Sequence, residues 1–160
     1  MIQPIKGREA ISQLTKRKGA LVGVNADFFP FTGDPLGVCI ADGQLISEPG
    51  LGRVALGVLG NKALFIDNPR FSAAINLARG VSRQIDGVNR VRETNQLIAY
   101  TDVFGDTTQN KYPATDIICS SPDLPIRAGK TLKLTVTDVR LNAADTAIPK
   151  GGMVLSAGGP

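Results

Sequence analysis

The chain has 160 residues, 42% of them apolar and 20% charged, with 18 basic side chains against 14 acidic ones and a net charge of +4. It has no histidine and two cysteines, which excludes Ser-His-Asp or Cys-His catalysis and a His-ligated metal built from this chain alone. The mild basic excess comes with six Phe, two Tyr and no Trp. That is a poor supply of stacking platforms, so nucleic acid is not an expected partner.

The length fits one domain, residues 1–160, with its own core. The 18 glycines and 10 prolines follow no repeat, so many tight turns and many short strands are expected. No apolar run approaches the ~18 residues a spanning helix needs, so no membrane insertion is expected. The opening MIQPIKGREA lacks the apolar run of a signal peptide, and the chain itself leaves localisation open.

In chain order, residues 7–18 predict an amphipathic helix with Ala10, Ile11 and Leu14 on one side. Lys16-Arg17-Lys18 at its carboxyl end complements the helix dipole, and Gly19 stops it. Residues 20–24 read as a buried strand, followed by a loop over 25–35. Residues 36–41 and 44–46 flank Asp42-Gly43, a type I′ hairpin signal. Residues 53–59 and 62–66 flank Gly60-Asn61, a second hairpin, and further strands are expected at 73–77 and 96–101. Over 131–141 the apolar parity switches: Leu132, Leu134 and Val136 share one face, Val139 and Leu141 the other. A bulge near Thr137-Asp138 reconciles them. A last short strand covers 153–156. The fold class is α+β, mainly antiparallel strands with an N-terminal helix. Cys39 and Cys119 are either one disulfide or two small buried thiols.

Three segments carry groups suited to chemistry. Asn25 and Asp27 stand at the end of an apolar run, backed by Phe28 and Phe29. Asn89-Arg90-Val91-Arg92 places two guanidinium groups, the side chains best shaped to grip a phosphate or carboxylate, beside an asparagine. Tyr100-Thr101-Asp102 leads into a Gly-containing turn, Gly105-Asp106-Thr107. Asp102 and Asp106 do not match a calcium loop, and no metal or cofactor is expected.

In this order the segments resemble the phosphodiester glycosidase family. Its pattern corresponds here to Asn25-Ala-Asp-Phe-Phe29, Gly37-Val-Cys-Ile-Ala-Asp-Gly43 and Arg53-Val-Ala-Leu-Gly57. It continues as Ile85-Asp-Gly-Val-Asn89-Arg-Val-Arg92 and Leu97-Ile-Ala-Tyr100-Thr101-Asp-Val-Phe-Gly105-Asp-Thr107. The resemblance covers residues 20–110 and implies hydrolysis of a sugar-1-phosphodiester. A phosphorylated carbohydrate or glycoconjugate would be the partner. It makes Asp27 the acid/base candidate, Arg92 the phosphate holder, and Asn25, Asn89, Tyr100 and Thr101 further substrate contacts.

Two elements of that family, an Arg-Thr strand and an Asp-Gly-Gly-Gly-Ser turn, do not occur before Pro160. The chain therefore reads as an incomplete glycosidase-like domain, inactive until completed, with open edges at its final strands through which it self-associates. The competing readings are a non-catalytic carbohydrate-binding or cell-envelope module on the same scaffold, and a structural β-rich domain.

Overall fold

The computed structural model describes residues 8–25, 28–31, 33–50 and 52–159. Helix α1 spans Ile11–Lys18. The strands are β1 (Cys39–Ala41), β2 (Gln44–Ser47), β3 (Ala55–Leu59), β4 (Lys62–Ile66), β5 (Ala73–Asn76) and β6 (Ser82–Ile85). They continue as β7 (Gly87–Val88), β8 (Leu97–Thr101), β9 (Ala114–Ser120), β10 (Thr135–Ala143) and β11 (Gly152–Ala157). Strands β10-β9-β11-β8-β7 form one five-stranded sheet, antiparallel except for the β7–β8 pair. Three separate hairpins, β1–β2, β3–β4 and β5–β6, accompany it. A mainly antiparallel, β-rich fold with one short helix is what the composition of turns and alternating segments predicts.

The central strands are buried on both faces, and alternation divides their side chains between two cores. Leu97, Ala99, Cys119, Met153 and Leu155 point to one side with Leu45 and Val88. Ile98, Tyr100, Ile118 and Val154 point to the other with Phe104 and Ile148. Each fully buried aliphatic chain of this kind contributes about 1.5–3 kcal/mol. On the first side, an apolar groove of about 1260 Å³ separates the sheet from the β3–β4 and β5–β6 hairpins. The β3–β4 hairpin is thinly covered: Leu56, Val58, Leu59 and Phe65 are all exposed.

Local signals translate well. Asp42 and Gly43 both adopt positive φ, 51° and 75°, as a type I′ turn requires. The bulge in β10 is present: the register with β9 shifts between Val136 and Asp138. The extra residue returns Val139 to the side of Val136, opposite Ile117 and Cys119 of the first core. Gly19 takes the left-handed conformation, φ 63°, and ends α1 after its three basic residues.

Three expectations need correction. Helix α1 buries none of its residues, and Leu14 is exposed, so the apolar stripe does not face a core. The run at residues 20–24 is not a strand; Leu21, Val22 and Val24 are exposed, and among the described residues no strand pairs with it. The last strand, β11, is not an open edge but the centre of the sheet, between β9 and β8. Strands β6, β7 and β9 are additional to the expected set. Strand β9 hides its nature by placing Thr115 and Asp116 in an apolar run.

Among the described residues no helix is long and apolar enough to cross a membrane. Both thiols are free, Cys119 buried and Cys39 half-buried, and burial pushes both upward from the usual thiol range.

Candidate functional site

The site candidates fall into separate groups. Asn89 follows β7 in a left-handed conformation, φ 55°, one that asparagine tolerates better than most residues. That turn drives its carboxamide inward, where it is 1% exposed. Its Nδ2 donates to Ile46 O at 2.9 Å and to Thr101 Oγ1 at 3.0 Å, and its Oδ1 accepts the Thr101 N–H at 2.8 Å. Asn89 and Thr101 are therefore brought together, but the amide is engaged at both ends by the fold.

Arg90 and Arg92 lie two residues apart and do different work. The Arg90 Nε donates to Glu48, Nη1 to Gln96 Oε1 and the Val91 carbonyl, and Nη2 to the Asp86 carbonyl. Glu48, the residue after β2, also accepts the Val88 N–H at 2.8 Å, so this carboxylate ties the end of β2 to β7. Gly87 leaves room for the clamp: a Cβ there would stand 2.5 Å from Arg90 Nε and 2.7 Å from Glu48 Oε1.

Arg92 is 8% exposed. Its Nη2 donates to the Tyr112 carbonyl at 2.6 Å, while its buried Nε has no partner. No carboxylate forms an ion pair with it among the described residues. Gly158 lies against the guanidinium so closely that a Cβ would fall 1.9 Å from Nη1.

Tyr100 stands beside Arg92 on the second face of the sheet. Its hydroxyl donates to Asn110 Oδ1 at 2.9 Å, and Asn110 Nδ2 donates to Ser156 Oγ at 3.2 Å. Burial raises the phenol well above the ordinary tyrosine range, against the opposing pull of Asn110 and of the Arg92 and Arg90 charges. The ring packs on Phe104 with centroids 5.0 Å apart. The same face carries Asp116, fully buried, which accepts from Thr146 Oγ1 at 2.5 Å. Its other oxygen has no partner.

Arg92 and Tyr100 thus form a second group, distinct from the Asn89–Thr101 pair. Asn25 is exposed and hydrogen-bonds none of the other candidates among the described residues. Asp27 lies outside the described residues. A recess of about 290 Å³ opens beside Thr101, lined by Gln44, Asp102, Ser121 and Gly151. Asp102 accepts the Gly151 N–H there at 3.0 Å. No set of three metal-ligating side chains is gathered among the described residues.

Sequence reasoning missed Gly158, Asn110, Ser156 and Asp116. The available signal was polar residues at inward parity in apolar strands, Ser156 in β11 and Asp116 in β9.

No family model and no curated protein matches the chain. Among solved structures it is similar to a hypothetical protein from Synechocystis, with a TM-score of 0.70 and 19% identity. The match covers 98% of this chain and 28% of that one, so the chain spans little more than a quarter of that protein's length. At this identity the likeness establishes a shared fold.

Proposed function

We propose that the chain carries the phosphate-holding part of a phosphodiester glycosidase-like site, acting on a sugar-1-phosphodiester. The observation that supports this reading is Arg92: a guanidinium nine-tenths buried, with an Nε–H that has no partner and with no carboxylate counter-ion among the described residues. A buried cation left unpaired is costly, and a bound phosphate would repair that cost through two parallel N–H···O bonds. In the reaction, water adds to the anomeric carbon and the bond from that carbon to the phosphate oxygen breaks. The products are free sugar and the partner's phosphomonoester. Arg92 would steady the charge gathering on the departing phosphate, and Asp27 would take the proton from water. Asn89 and Thr101 would act indirectly, by fixing the loop that carries Arg92.

The second reading is a non-catalytic carbohydrate-binding or envelope-associated module. It is favoured by Asn89, whose amide is engaged within the fold rather than offered to a ligand.

The test is hydrolysis of sugar-1-phosphodiesters by this chain, alone and extended beyond Pro160, alongside calorimetric titration with sugar-1-phosphates. Turnover in either form that disappears in Arg92→Met supports the glycosidase reading. Binding without turnover supports the module. Neither binding nor turnover across several sugars rejects both.

A further inference from the structure

We propose that a second copy of this chain docks along the free edge of β10, joining two sheets about a two-fold axis beside Val139. Strand β10 is the outermost strand of the five-stranded sheet, bonded to β9 on one side, and eight of its nine residues are exposed. An exposed edge of that length is a template for another strand. What decides the occupant is self-complementarity.

In an antiparallel pairing centred on Val139, Asp138 of each copy stands opposite Arg140 of the other, twice by symmetry. The same pairing sets Val139 against Val139 and Leu141 against Thr137. Opposite charges directly across an antiparallel pair stabilise it, and like charges destabilise it. Both residues are already poised for the exchange. Arg140 Nε donates to Asp138 Oδ2 at 3.1 Å within the strand, and both side chains are about half exposed. The Val139 N–H donates to Asp138 Oδ1 at 2.8 Å, a stand-in acceptor for the carbonyl an added strand would supply. The Val136–Asp138 bulge also puts Val139 on the side of the first core. The apolar face of one sheet would therefore continue into that of its mate. This inference does not depend on the glycosidase reading, since β10 contributes none of the candidate site residues.

The experiment is sedimentation equilibrium of the full chain and of two charge variants, with circular dichroism to confirm that each is folded. The wild-type chain is expected to reach twice the 16.8 kDa monomer mass at high micromolar concentration. Asp138→Arg places like cations across the axis and Arg140→Asp places like anions, so each variant alone is expected to be monomeric. Mixed in equal amounts, the two are complementary and are expected to dimerise again. The doubly exchanged Asp138→Arg, Arg140→Asp chain should dimerise with itself. A wild-type chain that stays monomeric overturns the proposal. So does a dimer indifferent to both single variants, which would place association elsewhere, for example in the apolar groove.

Discussion

Asn89 and Thr101 hold each other across the end of β8: the Thr101 N–H donates to the Asn89 carboxamide oxygen, and the Asn89 amide donates to the Thr101 hydroxyl. A third bond, from Asn89 to the Ile46 carbonyl, brings in β2. One side chain in a left-handed turn thus joins segments that are distant in sequence, and it sets the start of the loop bearing Arg90 and Arg92.

Replacing Asn89 should therefore destabilise the whole sheet. Asn89→Ala leaves the buried Thr101 N–H without its acceptor and puts alanine in a left-handed conformation that asparagine tolerates better. The expected loss is about 3 kcal/mol or more, summing one unsatisfied buried group with the conformational cost. Asn89→Gly relieves the backbone part and should recover about 1 kcal/mol. Urea unfolding monitored by circular dichroism checks both, and equal stability of Ala and Gly variants would contradict the backbone argument.

Arg92 and Gly158 should behave as a unit. A β-carbon at Gly158 would occupy the place of the Arg92 Nη1, so Gly158→Ala must displace the guanidinium. If Arg92 holds phosphate, then Gly158→Ala and Arg92→Lys should each weaken sugar-1-phosphate binding about tenfold or more, the lysine because it cannot present a planar fork. Isothermal titration provides the comparison. Full retention of affinity in Gly158→Ala would remove Arg92 from the site.

Tyr100 makes stability sensitive to alkali. Its folded-state pKa is raised by burial, so above the ordinary tyrosine pKa of about 10 the unfolded chain has released a proton that the folded chain retains. The contribution is fully present below that pH and is lost progressively as pH rises from there towards the raised folded-state value. Urea midpoints measured across the alkaline range should fall more steeply for the wild-type chain than for Tyr100→Phe. At neutral pH the same substitution strands the Asn110 oxygen, at a cost of about 1–3 kcal/mol.

Glu48 anchors Arg90, and Gly87 makes the space. Glu48→Ala removes the acceptor of both the Val88 N–H and the Arg90 Nε, and should cost about 3 kcal/mol because a partly buried cation loses its counter-ion. Gly87→Ala should weaken the same clamp by pushing the two side chains apart. In a double-mutant cycle its cost is expected to shrink once Glu48 is gone; strictly additive costs would show that Gly87 acts through something else.

Several features of this protein were readable in the residues themselves. Asp42-Gly43 specified its turn through the conformations those residues tolerate, and Gly19 ended the helix for the same reason. The parity switch between Val136 and Val139 required a bulge, because side chains alternate strictly along a strand. These are properties of residues adjacent in the chain, where sterics and alternation act without help.

The tertiary structure decided the rest. Only strand order could place β11 at the centre and leave β10 at the edge, since hydrogen bonds between distant segments are not written in either one. Arg90 and Arg92 look alike in sequence, yet Glu48, forty-two residues from Arg90, neutralises one, while the other is buried with no carboxylate partner among the described residues. Which cation a fold satisfies depends on where it brings the opposite charge, and that is settled only when the chain has closed on itself.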